Sequence, residues 1–276
     1  MKQLVLLFIP LFFTAQTHRF VYEMQFKTDS TADFRKADMA LDVNPDEVKF
    51  YNLEYVKLDS LNKTRVGGKS MMWDDETPVV IHKKNSEINT NYILLDNLFI
   101  IETKDKLQWK LTQETKEKDG YHLQKATTKF GGRNWIAWFT KEIDLQEGPY
   151  KFRGLPGLVF QVEDDKDHYK FSLIKSYKLP KTYETNEFLE SFAGMKPVKI
   201  SQERYQKLLL ETYNDPLHDF RERFSKNDDP ESRFYFNSIE IKDISQFKEL
   251  TEMKKKLIRQ NNNPIEIDKA VNYPEK

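Results

Sequence analysis

From His18 to about Leu179, apolar and polar residues alternate in short runs rich in β-branched and aromatic side chains, which is the period of a strand with one face buried. Residues 19–27 show it best: Phe20, Tyr22, Met24 and Phe26 recur at every second position, predicting a half-buried strand. Residues 39–43, 48–51, 79–82, 92–95, 98–102 and 107–112 are further strand candidates between polar or turn segments. Residues 121–130 and 134–140 flank Gly131-Gly132-Arg133, which predicts a hairpin closed by a three-residue connection. Asp164-Asp165-Lys166-Asp167 separates residues 158–163 from 168–178 and predicts a second hairpin. The expected arrangement is an antiparallel meander.

After Pro180 the period changes. Ser201 can cap a helix with Tyr205, Leu208, Leu209 and Tyr213 at helical spacing, stopped by Asn214-Asp215-Pro216. Leu217, Phe220 and Phe224 suggest another short helix, and Asn227-Asp228-Asp229-Pro230 a loop. Ser245 can cap a third helix carrying Phe247, Leu250, Leu257 and Ile258. Its Lys254, Lys255, Lys256 and Arg259 read as a solvated helix end, where the dipole favours cations. Asn261-Asn262-Asn263-Pro264 stops it. The fold class that follows is mainly β (α+β): a curved antiparallel sheet or meander with a helical C-terminal part from about residue 186. No repeat or low-complexity linker divides residues 16–276, so one β-rich domain is expected.

The start of the chain changes the picture of where such a domain works. Met1-Lys2-Gln3 is a short basic start, residues 4–13 are apolar, and Thr14-Ala15-Gln16 is small and polar. This is the pattern of a Sec-type signal peptide over residues 1–15, with Phe13 bulky for its position before the cut. The apolar run is about half of what a stable membrane span needs. The chain has no cysteine, which excludes disulfides, a thiol nucleophile and a lipidated cysteine. The expected location is therefore periplasmic or secreted, with no transmembrane anchor after cleavage. With 44 Lys and Arg against 44 Asp and Glu, a nucleic-acid partner is not expected.

Gly154-Leu155-Pro156-Gly157-Leu158-Val159 has a physical reading as a turn. Pro156 fixes φ at one position and Gly157 supplies positive φ at the next, which predicts a type II turn between residues 150–152 and the strand from Leu158. It is not a phosphate loop, because no Gly-Lys-Ser/Thr follows, and no helix pattern follows to make it a dinucleotide site. Led by Gly148-Pro149-Tyr150-Lys151-Phe152-Arg153, this block resembles the signature of the GLPGLI family of exported Bacteroidetes proteins, with Val159 in place of isoleucine. The resemblance extends to His18-Arg19-Phe20-Val21-Tyr22-Glu23, Gln124-Lys125-Ala126-Thr127-Thr128, Arg133, Trp138-Phe139-Thr140 and Asn261-Asn262-Asn263-Pro264-Ile265-Glu266. It implies an exported protein without an assigned reaction. A looser likeness is to the bowl-shaped, β-rich N-terminal module of a secreted peptide N-glycanase, which implies an accessory part.

Signs of catalysis are sparse. His18, His82, His122, His168 and His218 show no metal-ligand spacing, so no metal and no cofactor are expected. Neither a Gly-x-Ser-x-Gly elbow nor His-Glu-x-x-His occurs. Glu142, Asp144 and Glu147, or Asp164, Asp165 and Asp167, could form an acid/base pair, although turns use such residues for local hydrogen bonds. The candidate ligand-binding residues are Arg133, Trp135, Trp138, Tyr150 and Arg153, aromatic and basic groups on neighbouring elements. Trp135 and Trp138 should point to opposite faces of a strand, one into the core and one lining a concave surface; alternatively both pack beneath the helices. Two functions remain: a non-enzymatic binding, carrier or accessory module for an envelope protein, peptide, glycan or lipid-like ligand, and a carboxylate-dependent hydrolase.

Overall fold

The computed structural model describes residues 17–65, 73, 76–229 and 231–275. The signal peptide read in the first residues lies outside the described residues, as does Pro230 of the expected loop. In chain order the elements are β1 (Thr17–Phe26), β2 (Arg35–Val43), β3 (Glu47–Asn52), α1 (Glu54–Thr64), β4 (Val79–Lys83), β5 (Ile88–Leu94), β6 (Leu98–Lys104), β7 (Lys110–Lys118), β8 (Tyr121–Phe130) and β9 (Arg133–Thr140). There follow β10 (Leu158–Asp164), β11 (Tyr169–Leu179), β12 (Val198–Lys199), α2 (Gln202–Asn214), α3 (His218–Ser225), β13 (Phe234–Phe236), β14 (Ile239–Ile241) and α4 (Phe247–Gln260). The fold is mainly β with a helical part, as the alternation predicts.

One 12-stranded sheet holds the order β12-β6-β5-β4-β3-β2-β1-β11-β10-β9-β8-β7. Its pairings are antiparallel except for the short parallel step of β12 on β6. From β1 in mid-sheet the path walks outward to β6, crosses to β7 and walks back until β11 pairs with β1. Fully extended, the crossing link of residues 105–109 spans about 20 Å. Laid flat, β6 and β7 would stand roughly 48 Å apart at the usual strand spacing. The sheet therefore curls until its ends approach, and the meander becomes a bowl.

The concave face carries the main core, with Phe20, Tyr22 and Met24 of β1, Met39 and Leu41 of β2, Phe50 of β3, and Trp135 and Phe139 of β9. The segment between β9 and β10, residues 141–157, adds Tyr150, Phe152 and Leu155 to that core as a plug. The Phe152 ring lies 4.4 Å from that of Trp135 and also meets Trp109, Phe130 and Phe171. A second core sits on the convex face, where Tyr55 and Val56 of α1 and Leu189 cover Ala40, Tyr51 and Val79. The first strand is consequently buried on both faces along much of its length, not half-buried as its alternation predicts. Arg19, on its outer side, is buried at 2.6 Å from Asp42. Helix α1 has no counterpart in the sequence reading, because only Tyr55 and Val56 are buried and they set no helical period.

Local chemistry agrees with the sequence in some places and departs from it in others. Ser201 caps α2 by accepting the Arg204 N–H at 3.1 Å, as expected. The third helix is capped differently: Asp243 accepts the Ser245 N–H at 2.8 Å, and a 3-10 turn over Ile244–Gln246 runs into α4. The hairpin connection is two residues, with Gly131 and Gly132 at φ 60° and 75°, so Arg133 belongs to β9 opposite Phe130. Positive φ at both central positions matches the right-handed twist of the paired strands. At Pro156 the Gly157 N–H donates to Leu155 O at 2.8 Å, closing a three-residue turn where a type II turn was expected. Gly157, at φ 143°, passes so close to β9 that a Cβ would stand 1.8 Å from Thr140 O. The C-terminal helices begin at Gln202, not near 186, and α3, β13, β14 and the start of α4 share a small core around Phe247.

Candidate ligand cleft

The plug fills only part of the bowl. Over β4, β5 and β6 the concavity is roofed by α2, α4 and the tail after Gln260, and a cleft of about 560 Å³ lies between. One face of α2 lines it with Gln202, Tyr205 and Leu209, and one face of α4 with Lys254, Leu257 and Ile258, followed by Asn261 at its C-cap. These spacings are helical neighbours, so the stripe that the sequence assigns to helix packing also forms the wall of the cleft. Ile93, Leu94, Leu95 and Ile101 of the β5–β6 hairpin form the opposite wall.

The floor is ionic. Lys151, 1% exposed, places its ammonium 2.6 Å from Glu266, 3.0 Å from Asp105 and 3.2 Å from Thr103 Oγ1. Glu266 also accepts from the Tyr150 hydroxyl and pairs with Lys269. Burial alone would raise both carboxyls; the Lys151 charge, with hydrogen bonds from Lys151 and Lys269 to Glu266 and from Thr103, Lys151 and Asn89 to Asp105, outweighs it and holds each below its ordinary value. Burial, and then the Glu266 charge, push the Tyr150 phenol well up. These groups form a closed set with their charges already satisfied.

The five residues expected to form an aromatic-basic wall are not brought together. Trp135 is 0% exposed, packed on Phe152, with its indole N–H donating to Phe130 O at 2.9 Å. Trp138 is half-buried on the other face of β9, with the Lys116 ammonium 4.1 Å from its ring centre. The alternation of β9 thus separates the two as expected, but the face given to Trp138 is the convex one. Arg133 is spent on structure: it reaches Asp164 at 2.9 Å, Asn263 at 2.7 Å, Pro264 O at 2.8 Å and Ile265 O at 3.0 Å. Arg153 ties the plug to the β4–β5 turn through Ser86 O at 2.8 Å and Asn89 at 3.2 Å. Tyr150 alone of the five lines the cleft. The motif residues do not: Leu155, Leu158 and Val159 are core, Gly157 lies against β9, and Gly154 and Pro156 are exposed.

Of the carboxylates considered from sequence, Glu147 meets a buried histidine. It stands 3.1 Å from His82 Nε2. Burial raises its carboxyl to about 7 against the pull of Arg153 and Lys84. Burial, then the Arg153 charge, lowers His82 to about 4. Glu147 belongs to the plug and His82 to β4, and neither is among the residues lining the cleft. Glu142 accepts the His122 N–H and Asp164 the N–H groups of His168 and Tyr169, which are turn and strand-end roles. Among the described residues no cluster of three or more His, Asp or Glu stands at metal-binding distance.

Sequence reasoning missed Lys151, Glu266 and Lys254. Glu266 sits in the Asn-Asn-Asn-Pro-Ile-Glu segment to which the family resemblance extends, the signal that pointed to it. Lys151 lies in the Gly-Pro-Tyr-Lys-Phe-Arg run that leads the turn motif and shares that signal, whereas Lys254 was read as part of a solvated helix end.

No curated protein is similar in sequence. Two solved structures of PNGF-II, in C2 and P21 space groups, share the fold with a TM-score of 0.52, at 17% and 16% identity. The matched part covers 72% of this chain and 34% of PNGF-II, so the chain corresponds to about a third of that protein's length. Residues 130–161, the span from the end of β8 through the plug and its Gly-Leu-Pro-Gly-Leu turn into β10, match a family described as a protein of unknown function (Porph_ging).

Proposed function

We propose that the chain is a non-enzymatic binding module that holds a small amphipathic guest in the cleft over β4, β5 and β6. One observation carries this reading: an otherwise packed bowl keeps about 560 Å³ open, within the range of small-molecule sites, while Glu266 on its floor is neutralised by Lys151. A hydrolase needs a carboxyl free to take up or give a proton toward the space; of the two carboxyls that line the cleft among the described residues, Glu266 is held ionised by Lys151 and Glu76 is paired with Arg35. The likeness to about a third of PNGF-II supports an accessory role, since the same fold there is part of a longer chain. We further propose export by the signal pattern in the first residues, which native N-terminal sequencing beginning near Gln16 would support and an intact Met1 would overturn.

Native mass spectrometry of the protein from its own cells tests the binding reading. The expected result is a bound small molecule that is lost in Leu257→Trp, a substitution that fills the cleft from α4. A wild-type protein that carries no guest and takes up no apolar probe overturns it.

A further inference from the structure

Resting on that reading, we infer that the guest is a single-chain amphipathic carboxylate, with its carboxylate at Lys254 and its aliphatic chain along the β5–β6 wall. The cations around the cleft are not equivalent. Lys151 is neutralised by Asp105 and Glu266, and Lys269 by Glu266. Lys254 is half-buried on the cleft-lining face of α4 and has no hydrogen bond, ion pair or ring contact among the described residues. An unpaired ammonium beside an apolar wall is the charge with which an anion in the cleft can form a charge-assisted hydrogen bond. Beside it stand Leu209, Leu257 and Ile258, facing Ile93, Leu94 and Leu95, and these offer an apolar body nothing but hydrocarbon.

The same lining selects an aliphatic chain over a peptide. A bound peptide brings backbone N–H and C=O groups that need partners. Two amides that a peptide backbone would look to are already committed: Asn263 bonds Arg133, Tyr169 and Lys27 O, and Asn91 donates to Ile101 O and Thr103. A hydrocarbon chain asks for none of them, and a single carboxylate uses the one cation left over among the described residues of the lining.

Calorimetric titration with decanoate and with 1-decanol separates the inference from the reading beneath it. Wild-type protein is expected to bind decanoate about tenfold more tightly than decanol, the gain of one charge-assisted contact. Lys254→Met should bring the two together by weakening decanoate while leaving decanol unchanged, and Lys254→Arg should keep the preference. Leu257→Trp should weaken both. Equal affinities in the wild type, or a preference that survives Lys254→Met, overturn the carboxylate assignment while leaving the cleft intact. Failure of both compounds to bind overturns the cleft itself. Binding of an acidic apolar hexapeptide in their place overturns the aliphatic class. The decanol titration checks that Lys254→Met still folds around its cleft.

Discussion

Lys151 and Glu266, 115 positions apart in the chain, meet at 2.6 Å inside the bowl and join the plug to the C-terminal tail. Removing one partner of a buried pair leaves the other charge without compensation, typically at a loss of about 3–5 kcal/mol. Lys151→Met exposes that penalty twice, through Asp105 and Glu266, and should lower the urea-unfolding free energy by at least that amount. Glu266→Gln leaves Lys151 with Asp105 and should lower it by less. Equal losses in the two variants would show that Asp105 does not share the Lys151 charge.

Arg133 anchors the same tail from β9 by bonds to Asn263, Pro264 and Ile265. Arg133→Met should free residues 261–275 before the rest of the bowl opens. Limited proteolysis read by mass spectrometry should show cuts after Gln260 appearing faster than cuts within β8 or β9. Uniform acceleration of all cuts would mean that the tail is not a separate anchorage.

At the Gly-Leu-Pro-Gly-Leu turn the two glycines should respond unequally. Gly154 has φ 88° and open space within 4 Å of where a methyl group would stand, so Gly154→Ala meets backbone strain alone, about 1 kcal/mol. Gly157→Ala adds a collision with Thr140 O and should exceed it clearly in chemical denaturation. Exposed Lys166→Ala should stay within about 0.5 kcal/mol. If Gly157→Ala melts with Lys166→Ala, the close approach to β9 is not there.

Trp135 and Trp138 divide by face, and their truncations should divide likewise. Trp135→Ala empties the centre of the aromatic core, at about 3–5 kcal/mol. Trp138→Ala removes a half-buried ring under Lys116 and should cost substantially less. Comparable losses would place both rings in one core.

The His82–Glu147 pair makes a prediction about pH. The raised Glu147 pKa contributes stability that is full below its ordinary 4.5 and is lost as pH rises through about 7. The lowered His82 pKa contributes stability that is full above its ordinary 6.5 and is lost as pH falls through about 4. Between these limits folding moves one proton from imidazole to carboxyl without changing the count, so the two slopes cancel. Glu147→Gln removes one side: relative to wild type, its stability should rise with pH from about 4 to 6.5, by up to about 1.4 kcal/mol per pH unit. His82→Gln should show the opposite slope, falling from about 4.5 to 7. Urea unfolding across this range checks both, and three parallel profiles would refute the proton transfer.

What the sequence determined by itself is the local order. Period-two alternation placed most strands of the sheet, and helical spacing with Ser201 and the Asn-Asp-Pro stop placed α2, because burial of one face leaves a period in the chain. Charge and cysteine counts narrowed the chemistry before any fold was known. The curl of the sheet was implied by the same string once strand order was known, but that order depends on β11 finding β1 across some 150 residues, a pairing no local pattern records. Tertiary structure also decided which face of β9 became concave, burying Trp135 and turning Trp138 outward. It placed Lys151, Asp105 and Glu266 in one ionic floor, and it left Lys254 without a partner among the described residues while its neighbours Lys255 and Arg259 reached the Tyr213 ring. The reason is physical: side-chain periodicity reports whether a residue faces the core, whereas the partner of a buried charge is set by whichever distant segment closes over it.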